Sequence, residues 1–305
     1  MKTCKPVLRV SSVLLAFACI ATAADAPKLT FKFKTISVPK ALQTSTYGIN
    51  NRGDIVGYYI DQRGAIHGLL LEKGKKVINI DDPNSTYGTE PNNLNSNGTI
   101  VGVYLIDSAG DVRGFSYHQG RFKDVGPQAC KGPIESGAYG INDKGDIVGF
   151  CTDSSNVVHG YLWNGKKYTP LDYPGANDFT LPWGINNAGL VTLQWIDSSS
   201  HYEGGTYNSK TKKYSKKPIN VPGAVQTYIH SINNAGDIVF SWYDSSGNSY
   251  GALRMREGKN FKFYTFSDPK GPNYTRPDGI NDRREIVGRY ESTGAQYEQG
   301  FEATY

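Results

Sequence analysis

The chemistry open to this chain is narrow. Its 305 residues include five histidines, His67, His118, His159, His201 and His230, with no paired spacing suited to zinc. No H-E-x-x-H motif, G-x-S-x-G elbow or phosphate-cradling P-loop occurs. Asp61, Asp107, Asp153 and Asp197 begin turn-like tetrads, where an aspartate bonds to the turn's own amides. They do not form the D-x-D-x-D-G loop that holds calcium. No cofactor is therefore expected, and structural calcium has no motif behind it.

What remains is a set of side chains that differ from copy to copy in front of a recurring motif. Immediately before it stand Tyr47, Asn93, Tyr139, Trp183, His230 and Asp278. Two positions further back come Ser45, Pro91, Gly137, Leu181, Tyr228 and Arg276, and one further still Thr44, Glu90, Ser136, Thr180, Thr227 and Thr275. Strand side chains alternate, so the first two rows share a face. Asp278 and Glu90 are the carboxylates suited to act as acid and base on a glycosidic bond. His230 and Tyr139 suit a lyase-like proton abstraction instead. Tyr47, Asn93, Trp183, Tyr228 and Arg276 are the expected ligand-binding residues: flat rings stack on sugars, and amides and guanidinium bond to hydroxyls or uronates. As solvated channel groups, these carboxylates should contribute little to stability.

The elements that position these residues follow from the repeat. Gly48-Ile49-Asn50-Asn51-Arg52-Gly53-Asp54-Ile55-Val56-Gly57 returns around Leu94 and Ile141, and in weaker copies around Ile185, Ile232 and Ile280. The steps are 44–48 residues, the size of one propeller blade. Each copy holds four strand-like runs separated by turn chemistry, in the first copy residues 45–50, 54–60, 65–72 and 76–80. No window has sustained helical periodicity. The sixth copy stops after its third run, at residues 300–305, and residues 31–39 supply the missing fourth. A solenoid needs caps at its ends, whereas a ring needs complementary fragments and hides its strand edges. The expected fold is all-β: a six-bladed β-propeller of four-stranded blades, closed by the N-terminal strand, whose innermost strands line a central funnel.

Internal copies also separate construction from function. Asn50, Asn95, Asn142, Asn186, Asn233 and Asn281 recur in every copy and read as turn builders. Tyr59, Tyr104, Trp195, Trp242 and Tyr290 share one place and read as an aromatic layer between blades. His67 and His159 stand where other copies have Arg113 or Tyr250, and read as packing or surface residues. The landmark, its His67-Gly68 and His159-Gly160 continuations, and Tyr173-Pro174-Gly175-Ala176 resemble the bacterial extracellular repeats of the HAF family. The resemblance covers nearly all of residues 30–305 and implies an exported repeat protein, with no catalytic residues to carry over. Copy four departs from it at Leu190-Val191-Thr192-Leu193, and copy six has Arg284 where the turn glycine belongs.

Lys2, Lys5 and Arg9, an uncharged run over residues 10–23 and the small residues Ala21-Thr22-Ala23 describe a secretory signal peptide over 1–23, too short an apolar stretch to span a membrane. Residues 24–305 form one domain. Losing three basic and no acidic residues lowers the net charge from +5 to +2, and no basic patch with interleaved aromatics points to nucleic acid. Cys130 and Cys151 are then the remaining cysteines, and an exported chain favours their pairing. The reading is a secreted monomer, periplasmic or extracellular, that binds an extracellular polysaccharide in its funnel, with cleavage by hydrolase or lyase chemistry left open. The alternative is a non-catalytic module for a protein or polymer; neither involves nucleic acid or membrane.

Overall fold

The computed structural model describes residues 29–107, 111–126, 129–130, 133–258 and 260–305. The expected signal peptide lies outside them. The described residues form twenty-four strands and no helix. Blade one consists of Gln43–Ile49, Ile55–Ile60, Ile66–Glu72 and Lys76–Asn79, each antiparallel to the next. The turns between them are as the residue types require: Gly53 has φ 83°, a backbone state that costs glycine little. Arg284 holds the same conformation in blade six at φ 63°, and its Nε donates to Asp237 Oδ2 of blade five at 2.9 Å.

The strands assemble into four sheets of four and one of eight. The eight-stranded sheet is two four-stranded units joined by a single parallel bridge, Ile66 to Gly88. The same contact recurs as isolated bridges between Val158 and Phe179 and between Ser249 and Tyr274. It is where a third strand touches the chain leading into the next unit, so the larger sheet is a local merger of two blades. The last sheet runs Thr275–Ile280, Ile286–Tyr290, Gln299–Thr304 and then Lys32–Ile36, which completes it from the other end of the chain. Five registered pairs, from Lys32 with Thr304 to Ile36 with Gly300, make this closure. Phe31 packs 4.4 Å from Phe266 and 5.0 Å from Tyr305, and Phe33 lies 5.4 Å from Phe301.

The motif Gly-Ile-Asn has a separate task at each position. A Cβ on Gly48 would lie 2.8 Å from the Cα of Asn93, so the glycine lets neighbouring innermost strands approach. Ile49 is buried with Ile36, Ile55 and Val287. Asn50 accepts the amides of Arg52 and Asp54 on Oδ1 at 2.9 and 3.0 Å, and its Nδ2 donates to the carbonyl of Asn95 in the next blade at 3.2 Å. Asn95 donates in turn to Asn142, Asn142 to Asn186, Asn186 to Asn233, Asn233 to Asn281, and Asn281 back to Asn50. The hydroxyls of Thr44, Thr89, Thr180 and Thr275 form a second recurrent set, each accepting an amide from the loop leading in from the outer strand.

Cys130 and Cys151 are joined, with Cα atoms 6.1 Å apart, tying the loop before blade three to its second strand. A bridge across 21 residues is worth about 3 kcal/mol. Reduction should therefore lower the melting temperature, and the oxidised, denatured protein produced from residue 24, without Cys4 and Cys19, should take up no thiol reagent. Two equivalents of label would show that the bridge does not form.

Candidate functional site

Each innermost strand breaks its pairing at one place. Registered pairs step from Thr46 to Gly48, Pro91 to Asn93, Ala138 to Gly140, Pro182 to Gly184 and Pro277 to Gly279. In blade five the break spans Ile229 to Ile232. Bulged residues re-aim their side chains away from the ladder. The residues left out are Tyr47, Asn92, Tyr139, Trp183, Asp278 and, in blade five, His230 with Ser231. All but Ser231 line one cavity of about 540 Å³ of empty space, partly open to solvent, together with Glu90, Asn93, Val103, Arg276 and Arg289.

Two readings from the sequence need correction. The register places Asn92, not Asn93, in the bulged row, and Glu90 at the position of Ser45 and Arg276, with Thr89 in the threonine row. Asn93-Leu94 replaces Gly-Ile in blade two, which concealed the one-residue offset. Asn93 still reaches the cavity, although its Oδ1 accepts from the Leu94 amide at 2.8 Å. Tyr228 does not line the cavity. Its ring lies between Tyr202 and Tyr243, at 4.9 and 5.2 Å, and its hydroxyl donates to Gln226 Oε1 at 2.7 Å. Packing against two tyrosines holds it there.

The cavity groups are not solvated, contrary to expectation. The side chains of His230 and Asp278 are only 2% and 6% exposed. Arg276 Nε approaches Asp278 Oδ1 at 3.3 Å, and Arg289 Nε stands 3.9 Å from Oδ2. Arg289 also approaches Glu298 Oε1 at 3.3 Å and lies over the Tyr47 ring at 4.7 Å. Glu298 in turn accepts from Ser45 Oγ at 2.9 Å and from Tyr274 at 3.1 Å. Arg289 and Glu298 are functional-site groups that the innermost strand alone does not show. The same comparison on second strands finds Arg289, since its counterparts are Tyr58, Val103, Phe150, Gln194 and Ser241.

Burial sets the protonation behaviour. It draws the His230 pKa well below the ordinary value, helped by Arg276 and Arg289, so the imidazole is neutral. The 3.7 Å approach of His230 Nδ1 to Asp278 is thus a contact, too long for a hydrogen bond, and not an ion pair. Burial raises the Glu90 carboxyl, against the pull of Arg289, and raises Asp278 against both arginines. It raises the Tyr47 and Tyr139 phenols as well, so both stay protonated. Trp183 packs against Tyr139 at 4.5 Å and edge-on to His230 at 5.1 Å. Four buried polar atoms of this wall have no hydrogen-bond partner among the described residues: Asp278 Oδ2, His230 Nδ1, Trp183 Nε1 and Arg289 Nε.

A raised carboxyl contributes stability below its unfolded pKa and loses it as pH rises through the folded value. Glu90→Gln should therefore raise the melting temperature at pH 8 and give no gain at pH 4. A gain of roughly 2 °C corresponds to about 1 kcal/mol in a chain of this length. A difference independent of pH would show that Glu90 is not a strained buried acid.

Outside the cavity, His67 and His159 are held by aspartates. Nδ1 of each stands 3.0 Å from Asp81 and Asp172, respectively. Asp61, Asp153 and Asp197 each accept two turn amides on Oδ1.

No protein-family model matches this chain, and no curated protein matches it either. Solved structures do. The lectin of Aleuria aurantia, described as a six-bladed β-propeller, is 13% identical with a TM-score of 0.51, covering 88% of this chain and 93% of the lectin. The SapL1 lectin is 11% identical with a TM-score of 0.54, covering 85% and 90%. A TolB-like protein of Agrobacterium tumefaciens is 11% identical with a TM-score of 0.54, covering 86% and 91%. The likeness is one of fold. This chain is a β-propeller of four-stranded blades.

Proposed function

We propose that the chain is an exported, six-bladed propeller that binds an extracellular glycan in its central funnel as a monomer. The observation that carries this reading is the set of unpartnered buried polar atoms beside Tyr139 and Trp183. Buried polar atoms are almost always hydrogen-bonded, and a concave site with a few convergent polar groups and aromatic walls is the usual form of a small-ligand site. A sugar unit offers donors to Asp278 and His230, acceptors to Trp183 and Arg289, and a face to the rings. The fold is compatible with sugar binding, since the Aleuria and SapL1 lectins recognise fucose or a fucoside on it, although a shared fold does not fix function. The HAF-like repeats and the N-terminal segment support export.

The test is titration calorimetry of the mature protein against soluble polysaccharides and their oligomers. Glu90→Gln should weaken the binding found by at least about tenfold, or about 1.4 kcal/mol, while His67→Ala leaves it unchanged. The reverse pattern would move the binding face away from the funnel. Cleavage is the second reading, favoured by the Glu90 carboxyl, which burial shifts upward in the direction a general acid needs. Release of reducing ends, or absorbance from unsaturated uronates, would report it; binding without product would leave a lectin-like module.

A further inference from the structure

Blade five carries a second concavity that blade construction does not require. Its third strand, Ser249–Glu257, and fourth, Asn260–Phe266, stay paired two residues beyond the point reached in blades one and two, as far as Glu257 with Asn260. This longer hairpin brings Arg254, Arg256 and Phe261 to the edge of blade four. There, with Thr206, Asn208 and Asn234, they line an open groove of about 770 Å³.

Arg254 is out of place by the blade pattern. It lies opposite Ile238, where the other blades put Leu71, Tyr117, Trp163, Asn208 and Ala303 opposite the matching residue. Its guanidinium lies 3.4 Å above the Phe261 ring, and among the described residues it has no hydrogen bond or ion pair. The neighbouring carboxylate is taken: Asp237 Oδ2 accepts from Arg284 and Asn233, and Oδ1 accepts the Arg256 amide. Burial draws the Arg254 pKa down to about 10, which leaves it charged at neutral pH. A half-buried guanidinium with no counter-ion among the described residues, stacked and so held in orientation, presents its fork of donors to two oxygens of an oxyanion. Phe261 is 41% exposed, leaving ring surface for a sugar.

We propose that this groove between blades four and five is a second ligand site, separate from the funnel, which takes the carboxylate or sulfate group of an acidic glycan. Arg254 supplies the bidentate contact, Arg256 adds positive charge, and Phe261 supports the sugar. Two probes separate the sources of the anion: oligogalacturonate for carboxylate and dextran sulfate for sulfate. Each is titrated into the parent and Arg254→Leu at low and at 150 mM salt. The leucine is the blade-one residue at this place, so the melting temperature should hold. The parent should bind one probe saturably, Arg254→Leu should lose at least tenfold, and His67→Ala, outside both concavities, should bind that probe as the parent does. If the leucine variant fails to fold, Arg254→Lys is read instead: it keeps the charge without the fork and should weaken binding severalfold. Equal binding by the folded Arg254 variant and the parent would overturn the proposal, as would a parent that binds neither probe.

Discussion

Replacing Asp278 with alanine should lower the melting temperature by about 6–10 °C. The side chain is 6% exposed and stands between Arg276 and Arg289, with Glu298 on the far side of Arg289. Removing one partner from a buried ion network leaves the other charges without compensation, a loss of about 3–5 kcal/mol. At about 2 °C per kcal/mol for a chain of this length, that gives the stated range. Glu90→Gln, in the same cavity, should behave oppositely, because burial raises the Glu90 carboxyl and among the described residues it has no hydrogen-bond partner to lose. Differential scanning calorimetry on the two variants checks the contrast. An Asp278→Ala protein that melts with the parent would mean that water reaches the arginines and the network is only a surface feature.

Deleting the chain through Val38 should abolish cooperative unfolding altogether. The last blade would lose its fourth strand and five registered backbone pairs, and the rings of Phe266, Phe301 and Tyr305 would lose Phe31 and Phe33. Each such ring is worth about 1.5–3 kcal/mol when fully buried, and the open strand edge invites pairing with other chains. The expected signs are a broad or absent melt and soluble aggregates in light scattering. One sharp transition near the parent's temperature would mean that the remaining blades hold without closure.

The fold was legible because the copies repeat the residues that build it. Gly-Ile-Asn marked four innermost strands and its variants Asn93-Leu94-Asn95 and Ser231-Ile232-Asn233 the other two, and the broken sixth copy with its complement at residues 31–39 pointed to the closing strand. The funnel was legible for the complementary reason: its residues fail to repeat. Three things did not show. The offset at Glu90 was hidden because blade two lacks the glycine that sets the register. Arg289 and Glu298 lie outside the innermost strand, so a comparison confined to that strand passes over them. The packing of Tyr228 against Tyr202 depends on a neighbouring blade, and strand alternation says nothing about that. Burial was also misjudged: a channel drawn from alternation alone looks wet, whereas bulged side chains from every blade crowd it.

The asparagine circle has a direction. Every Nδ2 donates to the following blade and none to the preceding one, so the six bonds run the same way round and end where they began. Each asparagine gives its side-chain Nδ2 to the blade that follows and its main-chain carbonyl to the blade before, so every blade is tied on both sides. The six bonds thus close a belt at one end of the axis. Its energy belongs to no single blade, and a break at any one asparagine is felt by all six.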